Sequence, residues 1–299
     1  MKGAEDVITL LQLDYFRKLA ATEHITQTAK ELYISQTALS SMIIGLEKEL
    51  GVQLFDRSKR SIRLNQAGKT YLQYVNDVFA ALDNGRSALQ ELTETAQKQV
   101  SIGVGTSQVW MPMVRDFRKS CPEYAIKQQN NTLEEMIDAL RSMKTDFVIA
   151  SVDEITDPDM EHIFLKKDSV YLCVPQNHRL AGRESVYLKE LENEAYIDLP
   201  AGTPWRVYCA QLFKQAGVNI RTVLECDYSI RAALIESEFG VALTSASAYE
   251  VDMFQPNRYI PIADAFAYRE MALFWNPKKY MSKAANSFRE FCTAYWTEK

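Results

Sequence analysis

The chain has 299 residues, 47% of them hydrophobic and 24% charged, and its formal net charge is −5 at pH 7. This length suits two or three domains, and the apolar content supplies packed cores, so a disordered chain is excluded and a globular, soluble protein is expected. No apolar run approaches the roughly 18 residues of a membrane span, and acids interrupt the N-terminal segment too early for a secretory signal. We therefore expect a cytoplasmic protein without a membrane partner.

Five cysteines are scattered along the chain without a CxxC pair. This spacing is typical of a reducing compartment and disfavours a zinc site or a disulfide framework, so we interpret the cysteines as ordinary thiols. A redox switch between Cys209 and Cys226 is the alternative, although their flanking residues give it no support.

The charge is distributed unevenly along the chain. Residues 1–65 carry nine Lys and Arg against eight Asp and Glu, whereas residues 66–299 carry 25 against 31. The acidity belongs to the later part, so the N-terminal part stays compatible with nucleic-acid binding. The segment 57–63 holds four cations and no acid. Taken alone, this run fits an exposed loop as well as a phosphate-binding segment.

Three short helices are predicted before residue 52. Apolar residues recur at helical spacing over 10–20, which indicates the first helix. Thr26 is the predicted N-cap of a second helix that runs through Leu32. Ser35 is the predicted N-cap of a third helix, and Gly51 is its predicted end.

The third predicted helix has two different faces on a helical wheel. One face is apolar and is expected to pack inward; it comprises Leu39, Met42, Ile43, Leu46 and Leu50. The opposite face holds small hydroxyl and amide groups and no acid; it comprises Gln36, Thr37, Ser40, Ser41, Ile44 and Lys48. Such side chains let a helix approach base edges, so we predict DNA contacts by Gln36, Thr37, Ser40 and Ser41 and contact of Ile44 with a thymine methyl. A capped helix end that faces solvent is the alternative.

Two strand-like runs, 53–57 and 61–64, flank the basic tip 58–60. Two helices joined by a tight turn, with a β-wing behind them, place the second helix in the major groove and the wing along a phosphate backbone. We therefore predict a winged helix-turn-helix in which Arg57, Lys59 and Arg60 hold phosphates of double-stranded DNA.

A long helix is predicted from Ala67 to about Thr95. Its apolar residues recur three and four apart, as in a coiled-coil seam that Arg86 interrupts; they are Leu72, Val75, Phe79, Leu82 and Leu89. Because a helix-turn-helix ordinarily reads paired, dyad-related half-sites, we interpret this segment as a dimerising linker helix. A helix packed on its own domain is the alternative.

From residue 100 onward, strand-like and helical runs alternate, which predicts parallel-rich sheets covered by helices. The predicted strands are 100–104, 147–150, 170–174, 196–199, 241–244 and 271–275. The predicted helices lie near 112–120, 133–142, 204–216, 228–238 and 281–297.

Signatures of catalysis are missing from this part. Gly103-Val-Gly105 begins like a dinucleotide loop, but Gln108 occupies the third glycine position, and no Walker lysine or GxSxG elbow occurs. The three histidines lie far apart without metal-ligand spacing. We therefore predict no enzyme activity, no cofactor and no metal site.

The N-terminal part holds a set of short motifs spread over about 60 positions: Ala29-Lys-Glu-Leu32, Ser35-Gln36, Ser40, Ile43, Leu46-Glu47, Leu50-Gly51, Leu54-Phe55 with Arg57, and Ala67-Gly68. With these motifs in register, the chain resembles the LysR-type transcriptional regulators. Asn65 departs from the family, which mostly has Thr before the Ala-Gly pair. The resemblance implies a C-terminal fold like periplasmic binding proteins, with two lobes around a ligand cleft, and a homodimer or homotetramer.

These expectations divide the chain into a DNA-binding domain (1–65), a linker helix (66–97) and an effector-binding domain (98–299). In the last of these, lobe I comprises 98–165 and 266–299, and lobe II comprises 166–265. The resemblance directs the effector to strand ends and nearby loops, where open α/β sheets bind ligands. The candidate residues are Thr106, Ser107, Asn131, Thr132, Thr203, Trp205 and Ser245.

Several of these candidates have a second interpretation. The backbone amides of Thr106 and Ser107 precede a helix expected to begin near Pro112 and could hold an anion, but Ser and Thr at strand ends are often helix caps. Trp205 suits stacking on a ligand ring and covering a core equally well.

The sequence thus predicts a DNA-binding transcriptional regulator modulated by an unknown small-molecule effector, with RNA polymerase as a further candidate partner. A ligand-independent architectural DNA-binding protein and an enzyme on the α/β domain are the alternatives. Binding of metabolites without their consumption would separate the regulator from the enzyme.

Overall fold

A computed structural model describes residues 8–57, 62–92, 98–252 and 256–297. Contacts divide the chain into two compact units, Met1–Arg86 and Ser87–Lys299. The first unit contains α1 (Leu10–Thr22), α2 (Ile25–Glu31), α3 (Gln36–Leu50), β1 (Phe55–Arg57) and β2 (Ile62–Leu64). A long helix, α4 (Gln66–Leu92), begins in the first unit and continues into the second.

The ends of the first helices follow from their capping residues. Ser35 Oγ accepts the amide of Ala38 at the start of α3, and Gly51 ends that helix with a left-handed φ of 68°, as predicted. The predicted start of α2 was wrong: His24, not Thr26, is the N-cap, and its Nδ1 accepts the amide of Gln27. An imidazole nitrogen performs the task usually done by a hydroxyl, which spacing alone does not reveal.

The core of the first unit forms where the three helices meet the β1–β2 hairpin. Leu39, Ile43 and Leu46 of α3 are buried as the helical wheel predicts. Phe16 of α1 packs edge-to-face on Phe55 of β1, with ring centroids 5.6 Å apart. Full burial of an aromatic or aliphatic side chain contributes about 1.5–3 kcal/mol, so this cluster holds the helices and the hairpin together.

The predicted apolar seam of α4 divides into two parts. Leu72 and Phe79 pack with the buried Val75 against the core of the first unit, which corresponds to the alternative of a helix packed on its own domain. Leu82 and Leu89 are 51% and 65% exposed. The helix therefore packs at its beginning and presents apolar side chains along its later turns.

The second unit contains nine strands and six α-helices among its described residues. The strands are β3 (Gln99–Val104), β4 (Ala125–Asn130), β5 (Phe147–Ser151), β6 (Glu161–Val174), β7 (Ala195–Asp198), β8 (Arg221–Glu225), β9 (Ala242–Ser245), β10 (Arg258–Pro261) and β11 (Tyr268–Trp275). The helices are α5 (Ser107–Ser120), α6 (Leu133–Arg141), α7 (Pro204–Ala216), α8 (Tyr228–Glu236), α9 (Ala246–Asp252) and α10 (Lys283–Thr297). A 3₁₀ turn spans Leu188–Leu191.

The main sheet has the strand order β10-β6-β11-β5-β3-β4, and β9 also pairs with β6. Strands β3 and β5 are parallel, as expected of a parallel-rich sheet, and the unpredicted β4 is parallel to β3. Strands β6 and β11 are antiparallel to each other, so the expectation of parallel-rich sheets holds only in part. The reason is connectivity: β6 carries the chain from one lobe to the other, and β11 brings it back.

Two apolar cores identify the two lobes. Ile163 and Leu165 of β6 belong to one core with Val100 and Phe288, whereas Val170 further along β6 belongs to the other. The second core also contains the side chains of β7, α7 and β9. The unit therefore has two lobes joined through the long strands β6 and β11.

Sequence patterns missed the three strands β4, β8 and β10 and the helix α9 of this unit, and they misplaced the start of one further helix. Strands β4 and β8 are mostly exposed and lack the apolar alternation that identifies a strand. Helix α5 was expected to begin near Pro112 but begins at Ser107, so the proline lies inside the helix. Within the described part of the chain, no helix is both long and apolar enough to cross a membrane.

Candidate nucleic-acid interface and interlobe cleft

The outer face of α3 presents the polar side chains that the sequence selects. Gln36, Thr37 and Ser41 are exposed, Ser40 is half-buried, and Ile44 is 51% exposed. Burial of the opposite face fixes this helix against the core, so the outward side chains have a defined orientation. The arrangement offers hydroxyl and amide groups, with one apolar side chain among them, to the edges of base pairs.

Two carboxylates attach the wing strands to the helices. Glu47 of α3 is buried, and its Oε1 accepts the amides of Leu54 and Phe55 at 2.9 and 3.2 Å. Glu23, at the end of α1, accepts the amide of Leu64 at 2.8 Å and pairs with Arg63 at 3.3 Å. Each strand of the hairpin is thus held by one acid, which fixes the direction in which the wing leaves the core.

The start of α4 holds the wing from its other side. The side chain of Asn65, the departure from the family pattern, accepts the amide of Gly68 at 2.9 Å and so caps α4. A Cβ on Gly68 would lie 2.2 Å from the carbonyl oxygen of Leu54. Only glycine permits this approach, so the Ala67-Gly68 pair of the sequence has a packing role.

The three predicted phosphate contacts differ in what the structure says of them. Arg57 has its Nη2 2.8 Å from Glu47 Oε2, and its side chain is 36% exposed. It therefore stabilises the base of the wing and keeps part of its guanidinium accessible. Lys59 and Arg60 lie outside the described residues.

The lobes of the second unit border a cleft of about 520 Å³ that is partly open to solvent. Its walls are mainly apolar, with a small number of polar groups, as is typical of ligand sites. The lining residues are Gly105, Thr106, Val109, Trp110, Ile149, Asp168, Leu199, Pro204, Trp205, Tyr228, Arg231, Thr244, Ser245, Ala248, Arg269 and Met271. Three of the predicted effector residues, Thr106, Trp205 and Ser245, are among them.

The other four predicted effector residues are not brought to the cleft wall. Ser107 donates its amide and its hydroxyl to Asn130 Oδ1, each at 2.6 Å, so the proposed anion-binding amide already has a partner. Thr132 caps α6 by accepting the amide of Glu135 at 3.3 Å. The amide of Asn131 bonds Val104 O, and the hydroxyl of Thr203 bonds Pro200 O. These contacts favour the interpretation as caps and turns.

Trp205 combines both of its alternative roles. The ring belongs to the apolar core of the second lobe, and its Nε1 donates to Leu243 O at 3.1 Å. The side chain also forms part of the cleft wall. Because the indole nitrogen is already bonded, the ring is held rigidly and offers the cleft an apolar face.

Sequence reasoning missed three buried charged side chains in the cleft, Asp168, Arg231 and Arg269. Asp168 and Arg269 are cross-strand neighbours on β6 and β11. Arg269 pairs with Glu154 at 2.7 Å, and Asp168 accepts both the amide and the hydroxyl of Ser247 at 2.9 Å. A signal existed for Arg231, which is the one cation of α8 and is flanked on both sides by apolar residues over 230–235.

The cysteines of the alternative redox switch are buried thiols. Burial raises the pKa of Cys209 to about 12, and burial also raises the pKa of Cys226. Because the thiolate is the reactive form, both groups are poor nucleophiles at neutral pH. No Cys, Asp, Glu or His cluster able to hold a metal ion occurs among the described residues.

One unit has a helix with an exposed polar face and an anchored β-hairpin, and the other has a cleft between two lobes. This combination is typical of a DNA-binding regulator that responds to a small molecule. Comparisons with known proteins identify its family. Residues 10–69 match the family model "Bacterial regulatory helix-turn-helix protein, lysR family", and residues 93–297 match "LysR substrate binding domain". The chain belongs to the LysR-type transcriptional regulators, as the sequence resemblance predicted.

Full-length relatives agree with this assignment. The HTH-type transcriptional regulator YybE of Bacillus subtilis is 29% identical, over 96% of this chain and 99% of that protein. The transcriptional dual regulator GltC of the same organism is 27% identical, over 97% and 98%. This protein is a transcriptional regulator with an N-terminal helix-turn-helix and a C-terminal effector-binding domain.

Solved structures support the two-domain fold. Full-length OxyR from Pseudomonas aeruginosa has a TM-score of 0.68 at 21% identity, covering 96% of this chain and 95% of that one. CbnR in complex with its target DNA has a TM-score of 0.61 at 19% identity, covering 96% and 99%. At these identities the likeness concerns the fold alone.

Proposed function

We propose that this regulator reads base sequence with the outer face of α3, through Gln36, Thr37, Ser40 and Ser41, and that Ile44 contacts a thymine methyl. The observation that carries this proposal is the orientation of the helix. Its apolar face is buried, and its hydroxyl and amide face points outward from a fixed support. Phosphate contacts by Lys59, Arg60 and the accessible part of Arg57 complete the interface and supply affinity rather than sequence information.

The regulator acts as a homodimer or homotetramer on dyad half-sites of double-stranded DNA. The exposed apolar side chains of α4 support this proposal, because they recur three, four or seven residues apart on one helix; they are Tyr74, Val78, Leu82, Leu89 and Leu92. The domain boundaries 1–65, 66–97 and 98–299 belong to the same proposal. The place of action is the cytoplasm, where the target DNA lies, and RNA polymerase is the further partner of a bound regulator.

The effector-binding domain binds its small molecule without converting it. The described residues that line the cleft include no histidine, cysteine or lysine, and its one acid accepts two hydrogen bonds from Ser247. A purely architectural role does not require buried charges around a cleft of this size. Binding is therefore favoured over both alternatives.

Selection of DNA from a random pool tests the proposal. Purified full-length protein is incubated with random duplexes at moderate ionic strength, and the bound fraction is sequenced. We expect a motif of two half-sites related by a dyad. No preference for any duplex over random competitor would contradict the proposal.

Variants then assign the bases to residues. Gln36→Ala and Ser40→Ala should alter the preference within each half-site, whereas Gln215→Ala and Ser120→Ala, exposed in the second unit, should not. Ile44→Ala should weaken a preference for thymine at one position by about 1 kcal/mol. An unchanged preference in the Ile44 variant would remove that contact from the interface.

A further inference from the structure

Among the described residues that line the cleft, Arg231 is the buried cation without an ion pair, whereas Arg269 pairs with Glu154. It lies on α8, is 4% exposed, and forms part of the cleft wall. A guanidinium is rarely buried unless a carboxylate neutralises it, because removal of a charge from water costs several kcal/mol. The partners of Arg231 therefore decide whether it is structural.

Among the described residues, Arg231 has no carboxylate within ion-pair distance. Its Nη2 has a single long hydrogen bond to Thr244 Oγ1, at 3.5 Å, and its guanidinium carbon lies 5.2 Å from the ring centre of Tyr228. A guanidinium has five N–H donors, so most of its bonding capacity is unused.

The acids around the cleft are already engaged elsewhere. Glu154 pairs with Arg269, and Asp168 is held by Ser247. Asp198 pairs with Arg206 at 3.2 Å. Burial raises the pKa of Asp198, and the charges of Arg206 and Arg231 act in the opposite direction. Arg231 thus faces the cleft without a carboxylate in ion-pair contact among the described residues, and the charge of Asp198 acts on it only from a greater distance.

We propose that the effector is a small organic acid whose carboxylate binds Arg231, with Thr244 and Ser245 beside it. This inference rests on the proposed effector-binding function and adds the chemical class of the ligand. A carboxylate matches the planar donor pair of a guanidinium and supplies one negative charge. Phosphate, with more charge, suits the site less well, because Arg269 is already neutralised by Glu154.

The walls of the cleft define the rest of the ligand. Val109, Trp110 and Ile149 on one side and Trp205 on the other provide apolar and aromatic surface. The effector is accordingly an acid with an apolar body. Its carboxylate contacts α8 and β9, and its body contacts α5 and β5, so that one molecule touches both lobes.

Contact with both lobes connects ligand binding to lobe position. The lobes already approach each other beside the cleft, where a Cβ on Gly105 would lie 3.0 Å from Pro204. A ligand that bridges the lobes favours the conformation in which both halves of its site are complete. The carboxylate is thereby the group through which the effector stabilises one arrangement of the two lobes.

Thermal unfolding of the full-length protein with paired probes tests the ligand class. Acetate, phenylacetate and 3-phenylpropionate are compared with their amides and with inorganic phosphate, each at 10 mM and equal ionic strength. We expect an aromatic acid to raise the Tm by about 5 °C when it exceeds its Kd a hundredfold, and its amide to have no effect. Equal shifts with acid and amide, a shift with phosphate alone, or no shift with any acid would overturn the proposal.

Three variants test whether the acid-induced rise in Tm depends on Arg231; they are Arg231→Met, Arg231→Lys and Arg269→Met. Without ligand, Arg231→Met should retain or raise the Tm, because it removes a buried charge that lacks a carboxylate. Arg269→Met should lower the Tm, because it leaves Glu154 unpaired. The acid should no longer shift the Tm of Arg231→Met, and Arg231→Lys should restore part of the shift.

Two results at Arg231 would overturn the inference. They are a lower Tm of ligand-free Arg231→Met, as in a structural role, and an undiminished acid-induced shift in that variant. Binding of a neutral compound in the cleft would leave the effector function intact while removing its anionic class. Failure of the DNA selection, in contrast, concerns the proposed function and not the ligand.

Discussion

The outer face of α3 and the interlobe cleft are built in opposite ways. In α3, the candidate DNA-reading side chains are uncharged, exposed or half-buried, and they all lie within a stretch of nine residues. In the cleft, the groups with the strongest chemistry are buried and charged, and they come from β6, α8 and β11. A surface that meets a large, rigid partner is thus encoded locally, whereas a cavity that encloses a small partner is assembled from distant segments.

The two sites also differ in where the supporting contacts lie. The reading helix is stabilised from behind, by its buried apolar face and by Glu47, while its outer face makes few contacts. The wall of the cleft contains both supporting and recognising residues. Arg269 is held by an ion pair, whereas Arg231 has none and is available to a ligand.

The largest effect is expected from Glu47→Ala. This change leaves two buried amides and part of Arg57 without an acceptor, so the free energy of unfolding of the first unit should fall by about 3–5 kcal/mol. DNA affinity should fall with it, because the wing loses its attachment. Urea unfolding and a DNA titration measure both, with the exposed Glu31→Ala as a control expected within about 0.5 kcal/mol of wild type. A loss below about 1 kcal/mol would show that the wing is held without this acid.

A second effect is expected at the tip of the wing. The double variant Lys59→Ala/Arg60→Ala should reduce the slope of log affinity against log salt by about two units, because two phosphate contacts release fewer counterions. Arg179→Ala/Arg183→Ala removes two cations that pair with acids of the second unit and should leave the slope unchanged. An unchanged slope in the wing variant would count against phosphate contacts there.

A smaller effect separates caps from ligand contacts in the second unit. Thr132→Ala removes the N-cap of α6 and should cost about 1 kcal/mol of stability without changing the acid-induced rise in Tm. Thr106→Ala removes a side chain that makes no cap bond and lines the cleft. Thr106→Ala should therefore leave the stability unchanged and alter the acid-induced rise in Tm, which is the opposite of the result expected for Thr132→Ala. If Thr132→Ala abolishes the rise, its side chain belongs to the ligand site after all.

The smallest effect is expected from the buried thiols. With a pKa of about 12, Cys209 is thiolate in roughly one molecule in ten thousand at pH 8, so it should resist a thiol reagent in the native protein and react fully in urea. The half-buried Cys121 should react first. Labelling followed by mass spectrometry checks the order. Rapid native labelling of Cys209 would reopen the redox interpretation.

The sequence determined the first unit in considerable detail. Local periodicity identified α1 and α3, the hydroxyl of Ser35 and the glycine at 51 defined the ends of α3, and the wheel separated its buried from its exposed face. Even there, tertiary contacts were needed to show that His24 caps α2 and that Glu47 and Gly68 hold the wing. Helix caps and faces depend on neighbours three or four residues away, which are visible in a sequence.

Only the tertiary structure decided the composition of the cleft. Sequence reasoning selected Ser, Thr and Asn residues at strand ends, and four of them lie away from the cleft wall. Thr132 and Thr203 bond residues three positions away, whereas Ser107 and Asn131 bond across the neighbouring ends of β3 and β4. The buried pair of neighbours Asp168 and Arg269 is 101 residues apart in the chain and adjacent on antiparallel strands. Whether a buried charge finds a partner depends on such long-range packing, and no local pattern records it. The sequence shows that residue 231 is an arginine, but only the fold determines that Arg231 has no carboxylate partner among the described residues.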